Sequence, residues 1–429
     1  MPLKPLEITV GLLLSGILVT LISVAAHMPP NLNSPSSSQE QATLPAPNSS
    51  TLDKARASIL ETNSLPKLSL RVTVPEPVLR GGKLEREYLN RSFDLESEGV
   101  QLARENKSLE PLKSELERIY SQLEARTPQN ARFKKEGKEW VARGQTGWTV
   151  NRASTEKRLL EALENQTTRV SVDLNLTAPQ RSARGLLEAK VFAHLASGQS
   201  SFLGSPDFRV HNIRVGSSKL DGLWLEQGQD FNFNQFIGRI SQARGFLPGY
   251  VISGTNLTLE DGGGICQVST TVFRAAYGAG LRILERHAHS HAVAYYDPTG
   301  FEATVYAPNL NLRFRNDTSG PLLIQASWDL KDQTLNFDLF GNTPDRTVTV
   351  SSPVISKRIP ARPPGFMPDP KLELGKAERI DMPASGMNVK IARRIEYASG
   401  KVKWDETRSV YRSWGGVFAV HPKDPRLNE

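Results

Sequence analysis

The chain has 429 residues, of which 38% are hydrophobic and 23% are charged, a composition that excludes wholesale disorder. A chain of this length favours two or three domains, each large enough to bury its own core. Its formal net charge is +8, but the basic residues are scattered, and a solvated surface explains them more simply than nucleic-acid binding. Because the chain has one cysteine, it cannot form an intrachain disulfide.

Residues 8–26 are uncharged and mostly apolar. At ~1.5 Å per residue, such a helix is about long enough to cross a ~30 Å hydrocarbon core. We therefore predict that residues 1–28 are a signal anchor in the cytoplasmic membrane and that the rest of the chain is extracytoplasmic, in the cell envelope. The small residues Val24 and Ala26 leave a cleaved signal peptide as the alternative. Export also argues against nucleic acid as a partner.

Residues 29–67 are rich in Pro, Ser, Asn and Gln, which predicts a flexible stalk. A folded region, 68–204, follows and opens with the alternation LSLRVTV, typical of a strand. Apolar residues three and four apart over 109–123 predict a helix capped by Ser108, and a second helix is expected around residues 155–163. The stretch RVSVDLNL predicts one half-buried strand.

Two further regions are expected, 205–345 and 346–429. In the last one, the stretches 348–359, 388–398 and 402–413 alternate apolar and polar residues, which indicates a β-rich region. We therefore expect an α+β protein with a single N-terminal membrane helix, a small mixed N-terminal domain, a middle domain and a β-rich C-terminal segment.

The densest chemical signal is the run DGGGICQVSTT, which contains Cys266. Gly262, Gly263 and Gly264 permit a sharp turn just where a helical pattern begins. A cysteine at a helix N-terminus is favoured as the thiolate, and the backbone N–H groups there, including that of Gln267, can hold an oxyanion. The glycine run fits neither a P-loop nor GxGxxG. The alternative is a cysteine that packs as a small apolar residue.

A histidine cluster, ERHAHSHAV, offers His287, His289 and His291 as bases for the thiol. In a strand these three residues would share one face, which leaves a Cys/His metal site open as an alternative. The spacing from Cys266 matches no common zinc pattern, so we expect no metal. Any of these histidines can also have a purely structural role.

A group that orients the base is also required, and Glu302 is the candidate, with Ser290 and Asp297 behind it. Arg313 and Arg315 alternate in LNLRFRN. They can bind a substrate carboxylate, but alternating arginines on a strand are more often a solvated face.

Together the motifs FNFNQFIGRISQARGFLPGY, GGGICQVSTT, GLRILERHAHSHAV, GFEATV and LNLRFRN resemble the successive signatures of the VanW family. The resemblance covers roughly residues 205–345, and the region before it is similar to the peptidoglycan-binding domain that often precedes a VanW domain. It implies a VanW-like catalytic domain with L,D-transpeptidase activity, Cys266 as nucleophile and His289 as base. The chain departs from the family pattern at Glu302, Asn311 and His291.

The resulting hypothesis is an envelope acyltransferase that acts on peptidoglycan stem peptides without a cofactor. Cys266 attacks the third, diamino residue, releases the terminal D-alanine and transfers the acyl group to a neighbouring stem. Water as acceptor makes the same site a carboxypeptidase. The alternatives are a non-catalytic peptidoglycan-binding or scaffolding protein, in which the glycine turn is structural, and a metal-dependent amidase.

Overall fold

Strands outnumber helices in residues 67–253 and 256–428, which are the residues that the computed structural model describes. Both ranges belong to one compact unit, Leu65–Glu429. The protein is therefore a mixed α/β protein with more strand than helix. The expected anchor over residues 8–26 lies outside the described residues. Among the helices that are described, none is long and apolar enough to span a membrane.

The N-terminal region consists of a sheet covered by helices. Its elements are β1 (Ser69–Arg80), β2 (Lys83–Asp94), α1 (Ser97–Asn106), α2 (Lys113–Glu124), β3 (Gln129–Glu136), β4 (Glu139–Gln145), β5 (Gly147–Val150), α3 (Arg152–Glu164), β6 (Arg169–Ser171) and β7 (Leu174–Thr177). The sheet has the order β2-β1-β4-β3, and β6 joins β1 in parallel. Apolar residues of β1, α1, α2 and α3 form its core.

The predicted elements of this region are mostly present, with two corrections. The stretch RVSVDLNL forms two short strands in different sheets rather than one strand. The first, β6, pairs with β1, and the second, β7, pairs with β5. Ser108 does not cap α2; its Oγ accepts a hydrogen bond from the amide of Glu110, 3.2 Å away, at the start of a short 3-10 turn before the helix.

The middle region carries the cysteine motif. Its elements are α4 (Ala183–Glu188), β8 (Ala193–Ser201), α5 (Asp207–Leu220), β9 (Leu223–Leu225), β10 (Asp230–Asn232), α6 (Phe233–Ile237), β11 (Pro248–Ser253), β12 (Asn256–Asp261), α7 (Ile265–Gly278), β13 (Arg282–Glu285), β14 (Arg313–Arg315), β15 (Leu322–Asp329) and β16 (Thr334–Gly341). One sheet has the order β8-β16-β15-β9, and a smaller one has the order β10-β14-β13.

Helix α7 lies at the centre of the largest apolar core. Val268, Val272 and Phe273 have no exposed surface. Strand β8 approaches the helix so closely that a Cβ on Gly198 would lie 2.0 Å from the carbonyl oxygen of Thr271. Close packing along its length fixes the axis of α7 and therefore the position of the residues in its first turn.

The C-terminal region consists of strands β17 (Arg346–Val350), β18 (Val354–Ile359), β19 (Gly365–Pro368), β20 (Ala377–Asp381), β21 (Gly386–Tyr397), β22 (Val402–Tyr411) and β23 (Val417–Val420). β21 pairs with β17, β18 and β22, and β23 pairs with β19 and β20. The fully buried Arg393 of β21 donates to the carbonyl oxygens of Tyr277 and Leu281, each 2.7 Å away. A strand of this region thus binds the C-terminal end of α7.

Candidate active site

A turn with two left-handed glycines precedes α7. Gly262 has φ +88° and Gly264, the residue that caps the helix, has φ +109°. The positive φ disfavours any side chain at these positions. At Gly262 a side chain would also clash, since its Cβ would lie 2.4 Å from Cγ2 of Ile240. The buried Asn212 donates from Nδ2 to the carbonyl oxygen of Gly263, 3.1 Å away, and so attaches the turn to α5.

Cys266 lies in the first turn of α7 and is partly buried. Its Sγ is 3.5 Å from Oγ1 of Thr304 and 3.6 Å from the carbonyl oxygen of Val305. The thiol can donate to Val305, and the thiolate can accept from the hydroxyl of Thr304. In the part of the chain that the structure describes, no histidine nitrogen is hydrogen-bonded to this sulfur. The position at the helix start is as predicted, whereas the direct contact with a base is not made in this conformation.

Gln267 stabilises the start of the helix. Its amide donates to the carbonyl oxygen of Gly264, 2.9 Å away, so this N–H is already engaged. Its buried side chain accepts from Nη2 of Arg209, 2.8 Å away, and donates from Nε2 to Oγ of Ser200 and the carbonyl oxygen of Ser201. The amide of Cys266 also belongs to the first turn, whose N–H groups have no acceptor within an α-helix.

His289 stacks on Tyr296 with the ring centroids 4.5 Å apart and the planes at 11°. Its Nδ1 is buried and has no hydrogen-bond partner. Burial, together with the positive charges of Arg286 and Arg209, lowers the pKa of His289 to about 3. The imidazole is therefore neutral near pH 7, and no hydrogen bond to Nδ1 fixes its tautomer.

Tyr296 links His289 to the first turn of α7. Its ring stacks on that of His289, and Arg209, which donates to the side chain of Gln267, also hydrogen-bonds Tyr296. Burial raises the pKa of Tyr296 to about 12. His289, Tyr296 and Arg209 thus form a cluster beside the start of α7.

Glu302 is buried, and its carboxylate binds three groups that are not histidines. Oε1 accepts from Nη2 of Arg286, 3.2 Å away, and from the hydroxyl of Tyr411. Oε2 accepts from the amide of Gly300, 3.0 Å away. Glu302 and His289 border the same narrow crevice without a hydrogen bond between them among the described contacts. The carboxylate therefore fixes the loop through Arg286 instead of holding the imidazole directly.

The three histidines diverge. Nε2 of His287 is 3.1 Å from Oε1 of Glu285, and Nδ1 of His291 is 2.9 Å from the carbonyl oxygen of Arg412. The reason is that β13 ends at Glu285 and the following residues are irregular, so the alternation of a strand does not apply. In residues 67–253 and 256–428, no group of three or more metal-ligating side chains is close enough to hold an ion.

The remaining predicted residues are Ser290 and the two arginines of LNLRFRN. Ser290 is exposed, and its carbonyl oxygen accepts from the amide of Arg412, 2.7 Å away. Arg313 lies in β14 and pairs with Asp230, as does Arg315, at 3.5 and 2.7 Å respectively. The hydrogen bond from Arg315 lowers the pKa of Asp230. Both arginines thus share one carboxylate across the sheet.

Several residues of the cluster are not identified by the sequence pattern. Thr304 follows Glu302 in GFEATV, but nothing in that motif marks its hydroxyl as a contact of the sulfur. Arg209 and Tyr411 come from distant parts of the chain, so only the folded structure brings them to the motif.

The residues of this site lie within a segment that matches a known family. The family model described as VanW like protein matches residues 208–340, which include the glycine turn, Cys266, the histidine cluster and Glu302. Residues 208–340 are therefore a VanW-like domain.

Two curated proteins are similar to the chain. The uncharacterized protein YoaR of Bacillus subtilis (strain 168) is 32% identical over 156 residues, which are 35% of this chain and 51% of YoaR. The vancomycin B-type resistance protein VanW of Enterococcus faecalis (strain ATCC 700802 / V583) is 27% identical over 126 residues, 28% of this chain and 46% of that protein. The chain spans about half the length of these relatives.

Proposed function

We propose that the protein is a cell-envelope acyltransferase that uses Cys266 to act on the stem peptides of peptidoglycan. The VanW-like domain and the name of one relative, a vancomycin resistance protein, support a cell-wall role with peptidoglycan as the partner. The observation that carries the proposal is the partly buried sulfur of Cys266 at the start of α7, 3.5 Å from the hydroxyl of Thr304. His289, which is neutral near pH 7 and whose Nδ1 has no hydrogen-bond partner, belongs to the cluster beside the same helix turn.

In the proposed reaction, the sulfur of Cys266 attacks the carbonyl carbon of the third, diamino residue of the stem. The amide of Cys266 stabilises the oxyanion that forms. The C–N bond to the terminal D-alanine then breaks, the amine leaves with a proton, and a thioester remains. A side-chain amine of a second stem attacks the thioester and regenerates the thiol. If water attacks instead, the product is a shortened stem.

In the proposal His289 carries the proton between the thiol and the leaving amine, which requires its pKa to rise from about 3 when substrate is bound. Its pKa is low because it is buried beside the positive charges of Arg286 and Arg209. Negative charge that develops at the reacting centre raises the pKa of a neighbouring imidazole, so proton uptake is coupled to the attack. Contacts between a nucleophile and its base often shorten only when substrate is bound, so the lack of a hydrogen bond between His289 and Cys266 in this structure is compatible with the proposal.

The organisation of the chain is part of the proposal. Residues 1–28 anchor it in the cytoplasmic membrane, residues 29–67 form a stalk, and the folded part faces the wall. Residues 68–204 bind peptidoglycan, residues 205–345 carry the reaction, and residues 346–429 support them.

The test is incubation of the full-length protein with disaccharide-tetrapeptides, followed by mass spectrometry. We expect cross-linked dimers joined through two diamino residues, or shortened stems, and neither product from Cys266→Ala. Activity that resists a chelator but not thiol alkylation rejects a metal-dependent amidase. A wild-type protein that binds sacculi without forming product on several stem chemistries is a scaffold and contradicts the proposal.

A further inference from the structure

A cavity of about 520 Å³ lies between the histidine loop and the C-terminal strands. This is within the ~300–1,000 Å³ range that is usual for small-ligand sites. The side chains that matter for recognition are those of His291, Arg362, Phe366, Arg412 and Trp414. Neither the glycine turn nor Cys266 borders this cavity, so it is a second feature of the fold.

The charged side chains that line the cavity are basic. Two arginines and a histidine border the cavity, and no carboxylate is among the residues that line it. Arg362 and Arg412 are exposed, and the structure shows no ion pair for either one within the described ranges. A guanidinium without a counter-charge presents a planar set of donors that matches a carboxylate.

The apolar side of the cavity is held rigidly. The ring of Trp414 lies 4.8 Å from that of His291, and its Nε1 donates to Oδ2 of Asp381, 2.6 Å away. Two of the lining segments pack backbone against backbone, since a Cβ on Gly415 would lie 1.9 Å from the carbonyl oxygen of Pro363. A preformed site of this kind loses little freedom when a ligand binds.

His291 joins this cavity to the cluster around Cys266. It also borders the narrow crevice that His289 and Glu302 share. Because the carbonyl oxygen of Arg412 can only accept, Nδ1 of His291 donates this hydrogen bond, and in the tautomer with the proton on Nδ1 the acceptor of the ring is Nε2. A ligand that binds a guanidinium through a carboxylate can therefore also donate an N–H to this ring.

We propose that this cavity binds a carboxylate-bearing segment of a wall peptide and aligns the rest of the peptide with Cys266. The inference rests on the proposed function for the identity of the peptide. Arg362 and Arg412 bind the carboxylate, Trp414 packs against the aliphatic part, and His291 accepts from a backbone or side-chain N–H.

The experiment measures binding rather than turnover, by isothermal titration calorimetry of the full-length protein. The probes are a purified stem tetrapeptide, the same tetrapeptide with its carboxylates converted to amides, and poly(glycerol phosphate). Arg362→Gln and Arg412→Gln are the test variants. Arg358→Gln is the matched control, because Arg358 is an exposed arginine of the same region outside the cavity. Thermal unfolding of each variant verifies folding, and Arg412→Lys tests whether charge alone suffices.

We expect each test variant, and amidation of the peptide, to weaken tetrapeptide binding by about tenfold or more, because each change removes a charged hydrogen bond. Arg412→Lys should recover part of the lost affinity. The control variant Arg358→Gln should bind the tetrapeptide with the wild-type affinity. Equal affinity of wild type, Arg362→Gln and Arg412→Gln overturns the inference. Binding of poly(glycerol phosphate) without tetrapeptide binding overturns it as well, in favour of a phosphate polymer.

Cys266→Ala separates this inference from the proposed function. The sulfur does not line the cavity, so we expect tetrapeptide affinity to be unchanged in this variant. Binding that depends on the arginines in a protein without activity contradicts the proposed function alone. Turnover that depends on Cys266, with affinity indifferent to both arginines, contradicts the cavity assignment alone.

Discussion

Tyr411, the last residue of β22, donates a hydrogen bond to the buried carboxylate of Glu302 in the loop that follows the histidine cluster. The amide of Gly300 donates to both groups, 3.0 Å from the phenol oxygen and 3.0 Å from Oε2 of Glu302. Arg286, from the cluster itself, completes the network. A C-terminal strand therefore fixes the loop that carries the candidate base.

We expect Tyr411→Phe to lower the free energy of unfolding by about 1–3 kcal/mol, since it leaves a buried carboxylate oxygen with one donor fewer. Urea unfolding measures the change. Tyr88→Phe is the control, because Tyr88 is 59% exposed and its loss of a hydroxyl should have little effect. Equal stability of both variants would mean that the network does not stabilise the fold.

The turn before α7 predicts a difference between two glycine substitutions. Gly264→Ala places a Cβ 3.0 Å from Cγ and 3.2 Å from the carbonyl oxygen of Arg209, at φ +109°. Gly228→Ala, at φ +81° with nothing within 4 Å, has the backbone strain without the clash. We expect about 1–3 kcal/mol of destabilisation from strain in each, and a larger total at Gly264. Thermal or urea unfolding that ranks them in the opposite order contradicts this account of the turn.

The lowered pKa of His289 predicts a pH dependence of stability. In the unfolded chain His289 takes up a proton near the ordinary histidine pKa of about 6.5, while in the folded chain it does so only near pH 3. The stability that the folded state has with a neutral His289 is therefore fully present above pH 6.5 and is lost as the pH falls from there towards 3. The expected loss in the free energy of unfolding is up to about 2 kcal/mol between pH 7 and pH 5.

The measurement is urea unfolding at pH 7 and pH 5. His289→Gln should lose less stability between these values than the wild type does. His287→Gln, at a position whose side chain is 38% exposed, should follow the wild type. If His289→Gln loses as much stability between pH 7 and pH 5 as the wild type does, His289 is not the source of the pH dependence.

Thr304→Val removes the hydroxyl that lies 3.5 Å from the sulfur of Cys266. Because a hydrogen bond to an ionised group contributes about 1.5 kcal/mol or more, we expect alkylation of Cys266 by iodoacetamide to slow about tenfold at neutral pH. Thr349→Val, an exposed threonine of β17, is the control. An unchanged alkylation rate would show that the hydroxyl does not stabilise the thiolate.

The sequence predicts local features of this protein better than distant ones. The glycine run and the apolar pattern after it locate Cys266 at the start of a helix, because turn and helix are both determined by neighbouring residues. The alternating stretches after residue 345 likewise predict strands that the structure contains. The break in RVSVDLNL was not predictable, since it depends on which strand each half pairs with.

The partners of Glu302 show the same limit at the site. A carboxylate near a histidine cluster suggests an orienting group, yet Glu302 binds Arg286 and Tyr411. Tyr411 follows Glu302 by more than a hundred residues and lies in an ordinary strand, so no local pattern identifies it. The divergence of His287 and His291 likewise depends on where β13 ends, which a short apolar run does not determine.

In the proposed reaction, Cys266 forms a covalent bond with the donor peptide. The most direct measurement is mass spectrometry of the full-length protein, quenched with acid shortly after mixing with a stem tetrapeptide. We predict an added mass equal to the donor without its terminal D-alanine, located on the peptide that contains Cys266 and absent from Cys266→Ala. Release of D-alanine by Cys266→Ala at the wild-type rate would contradict the claim.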